Sequence, residues 1–253
     1  MNNLPRITLA FWVMKICATT LGETAGDLLS MTLQVGYAMS SIILLSAFVV
    51  TLTSQLATRR HHPLLYWLVI VSTSTAGTTL SDFMDRSLGL GYATGSLILV
   101  GLLGAVLAAW YLAEGSLAVD RVRTFQGQVF YWFAILVSNT LGTALGDFLA
   151  DDSGLGFAGG AALIGSAIAL LAVLHYRTRL NSVLLFWAAF VLTRPFGATL
   201  GDVLTKSHEQ GGLALGTAGS SLVLGGVLLL LVLRAQLRKP APRPQAVRVE
   251  QRG

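Results

Sequence analysis

The sequence predicts an all-α membrane protein: eight transmembrane helices arranged as four parallel-oriented helical hairpins. Three observations lead there. Of 253 residues, 54% are hydrophobic and only 11% charged, where a soluble domain averages about 25% charged. The charges are segregated, leaving apolar runs of roughly 20 residues, enough to cross about 30 Å of hydrocarbon. Finally, the motif around GETAGD at 22–27 returns as GTTLSD at 77–82, GTALGD at 142–147 and GATLGD at 197–202.

The basic residues set the spans. Arg6, the pairs Arg59/Arg60, Arg121/Arg123 and Arg177/Arg179, and Arg234, Arg238, Lys239, Arg243, Arg248 and Arg252 make thirteen of the 17 Lys and Arg residues. All lie in connections or tails, so the positive-inside rule makes these regions and both termini cytoplasmic. The intervening connections hold only Arg86 and Lys206, beside Asp85, Asp151, Asp152 and Glu209. Spans are expected at 7–29, 36–57, 64–84, 91–113, 128–149, 156–176, 182–204 and 215–235. MNNLPR lacks a small-residue cleavage site, so the first span reads as retained. The proline-rich basic tail over 238–253 reads as disordered. Cys17, the single cysteine, reads as a small buried apolar residue. The net charge of +5 belongs to these connections and does not signal nucleic acid.

Each odd-numbered span carries a tryptophan near its cytoplasmic start: Trp12, Trp67, Trp132 and Trp187. Ten residues later comes Gly22, Gly77, Gly142 or Gly197, and fifteen later Asp27, Asp82, Asp147 or Asp202. The even spans open with VGYAMS, LGYATG, LGFAGG and, after a five-residue insertion, LGTAGS. The tryptophans are 55, 65 and 55 residues apart, which reads as a two-span unit doubled and doubled again. Residues 1–120 are then a first half, 121–237 a second, and 238–253 the tail. Units with an even number of spans insert in one orientation, about an axis along the membrane normal. A ring that is two-fold and approximately four-fold is expected.

On this Trp-to-Gly-to-Asp register, over nearly all of residues 7–235, the chain resembles a family of bacterial integral membrane proteins. Its members have four tandem two-span repeats with a characteristic tryptophan. The resemblance implies the architecture and a bacterial inner-membrane location. That family has no settled activity, so no catalytic or transport residue is implied.

Small residues four apart, such as Gly22/Gly26 and Gly142/Gly146, read as close-packing faces between helices. The same reading extends to the even spans, at Gly36/Ser40, Gly91/Gly95, Gly156/Gly160 and Gly216/Ser220. Packing does not explain the acids. Thr20, Glu23 and Asp27 share a helix face, as do Thr75, Thr78 and Asp82, and Thr140, Thr143 and Asp147. A charge at mid-bilayer costs about 3 kcal/mol or more, so such residues face a protein interior or a wet cavity. The competing reading puts the aspartates at the outer surface as loop organisers. Lys15 and Arg194 break the repetition, and Pro195 follows Arg194; Arg194 is expected to pair with Glu23 or an aspartate.

Five acids (Glu23, Asp27, Asp82, Asp147 and Asp202) against Lys15 and Arg194 leave three negative charges. Carboxylate and hydroxyl oxygens suit a hard cation such as Mg²⁺ or Mn²⁺, or protons. The threonines Thr20, Thr75, Thr78, Thr140 and Thr143 would add ligands, with Lys15 and Arg194 as coupling or ion-pair groups. His61, His62, His175 and His208 fall at span ends or in connections and read as solvated. No HExxH, GxSxG, G-x-G-D or phosphate-loop motif occurs, so neither an enzyme, a cofactor nor direct ATP-driven pumping is expected. The expected function is a secondary cation transporter, for instance a proton-coupled exporter of a divalent metal. Its partners are the lipid bilayer, the cation and protons, with no nucleic acid; a homo-oligomer is compatible. A passive pore or organic-solute conduit, or a membrane assembly protein, is the alternative.

Overall fold

The computed structural model describes residues 8–58, 62–122 and 124–237. Among them run eight long helices with no strand: α1 (Leu9–Asp27), α2 (Tyr37–Ala57), α3 (Pro63–Asp82), α4 (Tyr92–Glu114), α5 (Phe125–Asp147), α6 (Gly156–Arg177), α7 (Ser182–Thr205) and α8 (Thr217–Leu237). The boundaries fall within a few residues of the expected spans. The beginning of the first span at residue 7, Arg6, Arg59, Arg60, His61, Arg123 and the tail from 238 lie outside the described residues. Helices α2 to α8 are each long and apolar enough to cross a membrane. Helix α1, which carries Lys15, Glu23 and Asp27, is not among those seven.

Local chemistry sets the starts. Thr8, Thr124 and Asn181 cap α1, α5 and α7, each accepting a backbone N–H of the first turn, which satisfies an otherwise orphaned donor. Pro63 occupies the first turn of α3, where its missing N–H costs nothing. At the other end, α1, α3 and α5 each run from their aspartate directly into a π-helical turn, Leu28–Thr32, Phe83–Ser87 and Phe148–Asp152. The fourth unit differs: α7 continues to Thr205, and its insertion forms a short 3₁₀ turn at His208–Gln210.

Helices α1, α3, α5 and α7 form an inner ring in which each touches the next and α7 returns to α1. The even helices lie outside, and each packs on the inner helix of the following repeat: α2 on α3, α4 on α5, α6 on α7, and α8 back on α1. About a sixth of the apolar window is buried in α2 and α8 (17% each), against 67% in the inner α3. Large apolar side chains such as Leu97, Leu112 and Leu222 are therefore exposed on the outer helices.

The same contacts recur around the ring. Each ring residue before a tryptophan meets the next repeat's tryptophan: Phe11–Trp67 at 5.8 Å, Tyr66–Trp132 at 5.6 Å, Tyr131–Trp187 at 6.4 Å, and Phe186–Trp12 at 5.8 Å. Higher up, a Cβ placed at Gly22, Gly77, Gly142 or Gly197 would collide with Ser74, Asn139, Arg194 or Thr19 of the next inner helix. The inner glycines are thus packing faces, as expected. The first glycines of the even helices are not. Gly36, Gly91, Gly156 and Gly216 have φ between 68° and 81° with nothing near an added Cβ. They serve a left-handed turn that other residues adopt at a cost, which corrects the packing reading of those four positions.

Candidate functional site

Five layers of side chains stack along the inside of the ring, one side chain from each inner helix, at a spacing of four residues. The Tyr66 and Tyr131 hydroxyls meet at 3.0 Å in the layer that also holds Phe11 and Phe186. Above the tryptophans comes Lys15 with Ile70, Ile135 and Phe190, all essentially unexposed. Then follow Thr19, Ser74, Asn139 and Arg194; next Glu23, Thr78, Thr143 and Ala198; and then the four aspartates.

Arg194 is the hub. Its Nη1 donates to Glu23 Oε2 at 3.0 Å and to the Thr19 carbonyl at 3.2 Å. Its Nη2 donates to the Ser74 carbonyl at 3.2 Å, to Thr143 Oγ1 at 2.8 Å and to Thr78 Oγ1. One guanidinium therefore bonds to all three other repeats. Glu23 Oε2 also accepts from the Thr78 and Thr143 hydroxyls, at 3.2 and 3.1 Å. Both the Arg194–Glu23 pairing and the inward placement of Thr78 and Thr143 follow the sequence expectation. Pro195 leaves α7 unbroken from Ser182 to Thr205.

The aspartates form the next layer, and all four are buried. They are bridged in pairs by the two cations of the outer connections. Lys206 Nζ lies 3.0 Å from Asp27 Oδ2 and 3.2 Å from Asp202 Oδ1. Arg86 Nε lies 3.1 Å from Asp82 Oδ1, and its Nη2 3.4 Å from Asp147 Oδ2. Each cation stands four residues after one of its aspartates, so repeats 2 and 4 bring a cation where repeats 1 and 3 have Met31 and Asp151. Glu23, Asp27 and Asp202 each offer a carboxylate oxygen, all within 4.8 Å of one another, as a set that could hold a metal ion.

Two expectations change. The ion pairs couple the aspartates two by two, Asp27 with Asp202 at Lys206 and Asp82 with Asp147 at Arg86, while Glu23 pairs with Arg194. With Arg86 and Lys206 counted beside Arg194 and the more distant Lys15, the ring holds five acids and four bases, so the excess of formal charge is one and not three. Thr20, Thr75 and Thr140 turn their hydroxyls to carbonyls of their own helices, Ile16, Val71 and Leu136. They sit about two turns below the aspartates of their helices, and among the described hydrogen bonds none reaches a carboxylate.

Lys15 also departs from its expected role. It makes no ion pair among the described residues, and its unbonded Nζ stands 4.1 Å from the centre of the Phe190 ring. Two helical turns, about 12 Å, separate it in sequence height from Glu23, and its own layer is apolar. Arg86 and Lys206 are what sequence reasoning missed. The signal was present as the i, i+4 spacing from Asp82 and Asp202. Among the histidines, His62 caps α3 without a side-chain bond, His175 is exposed, and His208 Nδ1 lies 2.9 Å from the Gly212 carbonyl.

The model of the Repeat of Unknown Function (DUF347) matches the chain four times, at residues 10–61, 65–116, 130–181 and 185–239. No curated protein and no solved structure matches it.

Proposed function

The chain belongs to the family of the Repeat of Unknown Function (DUF347), and we propose that it carries a small hard cation across a bacterial inner membrane. In this reading all eight helices span the bilayer, both termini face the cytoplasm, and the ring axis follows the membrane normal. The exposed leucines of the outer helices face lipid. Helix α1 is sheltered from lipid by α8, which lets it carry three charged residues inside the ring.

The observation that carries the proposal is Lys206 Nζ held between Asp27 and Asp202 while Glu23 stands within ligand distance of both. An ammonium in a carboxylate cage is a tethered stand-in for a free cation. Mg²⁺ takes oxygen ligands at about 2.0–2.1 Å in typical sites, and such a cation would enter by displacing Lys206 into the outer solvent, where 19% of its side chain is already exposed. A proton can occupy the same carboxylates, which gives exchange one shared site. The axis below the acids is filled by Arg194, its threonine partners and the Tyr66–Tyr131 pair, and this favours a carrier over a permanently open pore.

The test is flux. Purified protein in liposomes should move Mn²⁺ or Mg²⁺, read by an enclosed metal-sensitive dye, and should couple that movement to a pH gradient. Asp27→Asn and Asp202→Asn should each abolish flux while leaving a monodisperse protein. Wild-type flux in both variants would leave the aspartates as organisers of the outer turns.

A further inference from the structure

We infer that the groove between α1, α6 and α7 binds an anionic phospholipid, its acyl chain in the groove and its headgroup phosphate on Arg177 and Arg179. The inference rests on the membrane half of the reading above and not on cation movement. A cavity of about 610 Å³ lies there, lined by apolar side chains including Trp12, Val13, Leu171, Ala172, Phe186 and Ala189. It runs from a rim at Thr8, His175, Tyr176 and Ser182 down to Ile168 and Thr193. Ser182 to Thr193 of α7, roughly 16 Å of helix, span that depth, so the shape is a slot running along the helices.

Comparison of the repeats explains why the slot exists. In the second repeat, Trp110 of α4 is buried and wedges between α5 and α7, its ring 6.3 Å from Tyr131 and 5.7 Å from Trp187. One repeat on, the counterparts of Tyr131 and Trp187 are Phe186 and Trp12, and the counterpart of Trp110 is His175. His175 is exposed, and the volume that an indole fills in the second repeat is left as the cavity. In the first repeat the same position is Gln55, which is buried.

The mouth of the slot is chemically matched to an acidic headgroup. Arg177 ends α6 directly after Tyr176 and Arg179 follows in the α6–α7 connection; both are exposed, and among the described residues neither meets a carboxylate within ion-pair distance. Tyr176 is 84% exposed at the rim, the place an amphipathic ring takes at a headgroup boundary. Basic sites between helices on the cytoplasmic side attract anionic lipid heads. The acyl chain gains dispersion contacts with the apolar walls of the slot.

Native mass spectrometry of the full chain in detergent, titrated with phosphatidylglycerol or phosphatidylcholine, tests this. Wild type should retain phosphatidylglycerol with roughly a thirtyfold preference, the scale that two arginines give at an anionic surface. His175→Trp, which restores the wedge of the second repeat, should lose the retained lipid of either kind; Ala189→Leu should narrow the slot and do the same if His175→Trp fails to fold. The double change Arg177→Gln/Arg179→Gln should keep lipid but lose the preference. Undiminished lipid in a folded His175→Trp or Ala189→Leu variant overturns the inference, as does equal retention of the two lipids by wild type. Lipid binding that appears only after deletion of residues 2–7 also overturns it, since the chain's own start would then be the occupant. Each of these readings is independent of any cation flux.

Discussion

The guanidinium of Arg194 and the carboxylate of Glu23 meet at 3.0 Å with 0% and 4% of their side chains exposed. They come from α7 and α1, the last and first helices of the inner ring, and the pair closes it. Two buried charges are expensive to desolvate, and removing one partner of such a pair typically costs about 3–5 kcal/mol. Arg194→Gln and Glu23→Gln should each lower thermal stability on that scale. The double variant should lose clearly less than the sum, because it leaves no uncompensated charge. Additive losses in a thermal-shift series would show that the two side chains act separately.

Gly142 and Gly104 should respond oppositely to alanine. A Cβ on Gly142 would lie 2.9 Å from the Pro195 backbone nitrogen and closer still to the Arg194 side chain, while Gly104 in α4 has open space. Overpacking costs about 1–3 kcal/mol, whereas an exposed helical glycine replaced by alanine gains roughly 0.5–1 kcal/mol. Melting temperatures of the two purified variants check both signs at once.

Removing the tethered ammonium should sharpen cation binding. In Lys206→Met the Glu23, Asp27 and Asp202 oxygens no longer hold a competitor, so Mn²⁺ should bind more tightly than to wild type. Calorimetric or dye-based affinity measures this. Weaker binding in Lys206→Met would make the lysine a builder of the site and not its occupant.

Lys206 lies just past the end of α7, and burial works against its charge. Asp202 and Asp27 outweigh that and hold its pKa above the ordinary lysine value. A pKa raised by folding means stability that is complete below the unfolded value, about 10.4, and declines only as pH climbs through the folded one. The stability gap between wild type and Lys206→Met should stay level from pH 7 to about 10 and shrink beyond it. A gap that closes by pH 8 contradicts the double bridge.

Topology can be read by thiol labelling in intact cells. With Cys17 replaced by serine, a cysteine at Arg177 should react only with permeant reagents. One at Asp152, the last residue of the π-helical turn after α5, should react with impermeant reagents as well. The reverse pattern would invert the assigned orientation.

Helices, repeat register and the Arg194–Glu23 pair were legible because each leaves a period or a unique break in one. Apolar length marks the spans, the Trp-to-Asp interval marks the repeats, and Arg194 stands where the other copies have Thr19, Ser74 and Asn139. The inward reach of Arg86 and Lys206 was not legible in the same way. Arg86 sits in what reads as a loop, and only the π-helical turn after Asp82 returns its side chain over the aspartate layer. The threonines show the resolution of face arguments. Thr75 and Thr78 differ by 300° around the helix, and that offset separates a hydroxyl on the axis from one on the flank. The glycines of the even helices were misread because small size and left-handed backbone leave one and the same letter in the sequence.

Because every outer helix covers the inner helix of the following repeat, α8 is the cover for α1, although α1 is made long before it. Ser221 donates to Thr24 at 2.8 Å and Cys17 to the Leu224 carbonyl at 3.4 Å, both across nearly the whole chain. Until α8 emerges, α1 waits with its charged stripe inside and one flank bare. A chain interrupted after the third repeat presents that flank to whatever fits it, and the best-fitting piece available is the terminal hairpin of a neighbouring copy, the circumstance under which exchanged dimers arise.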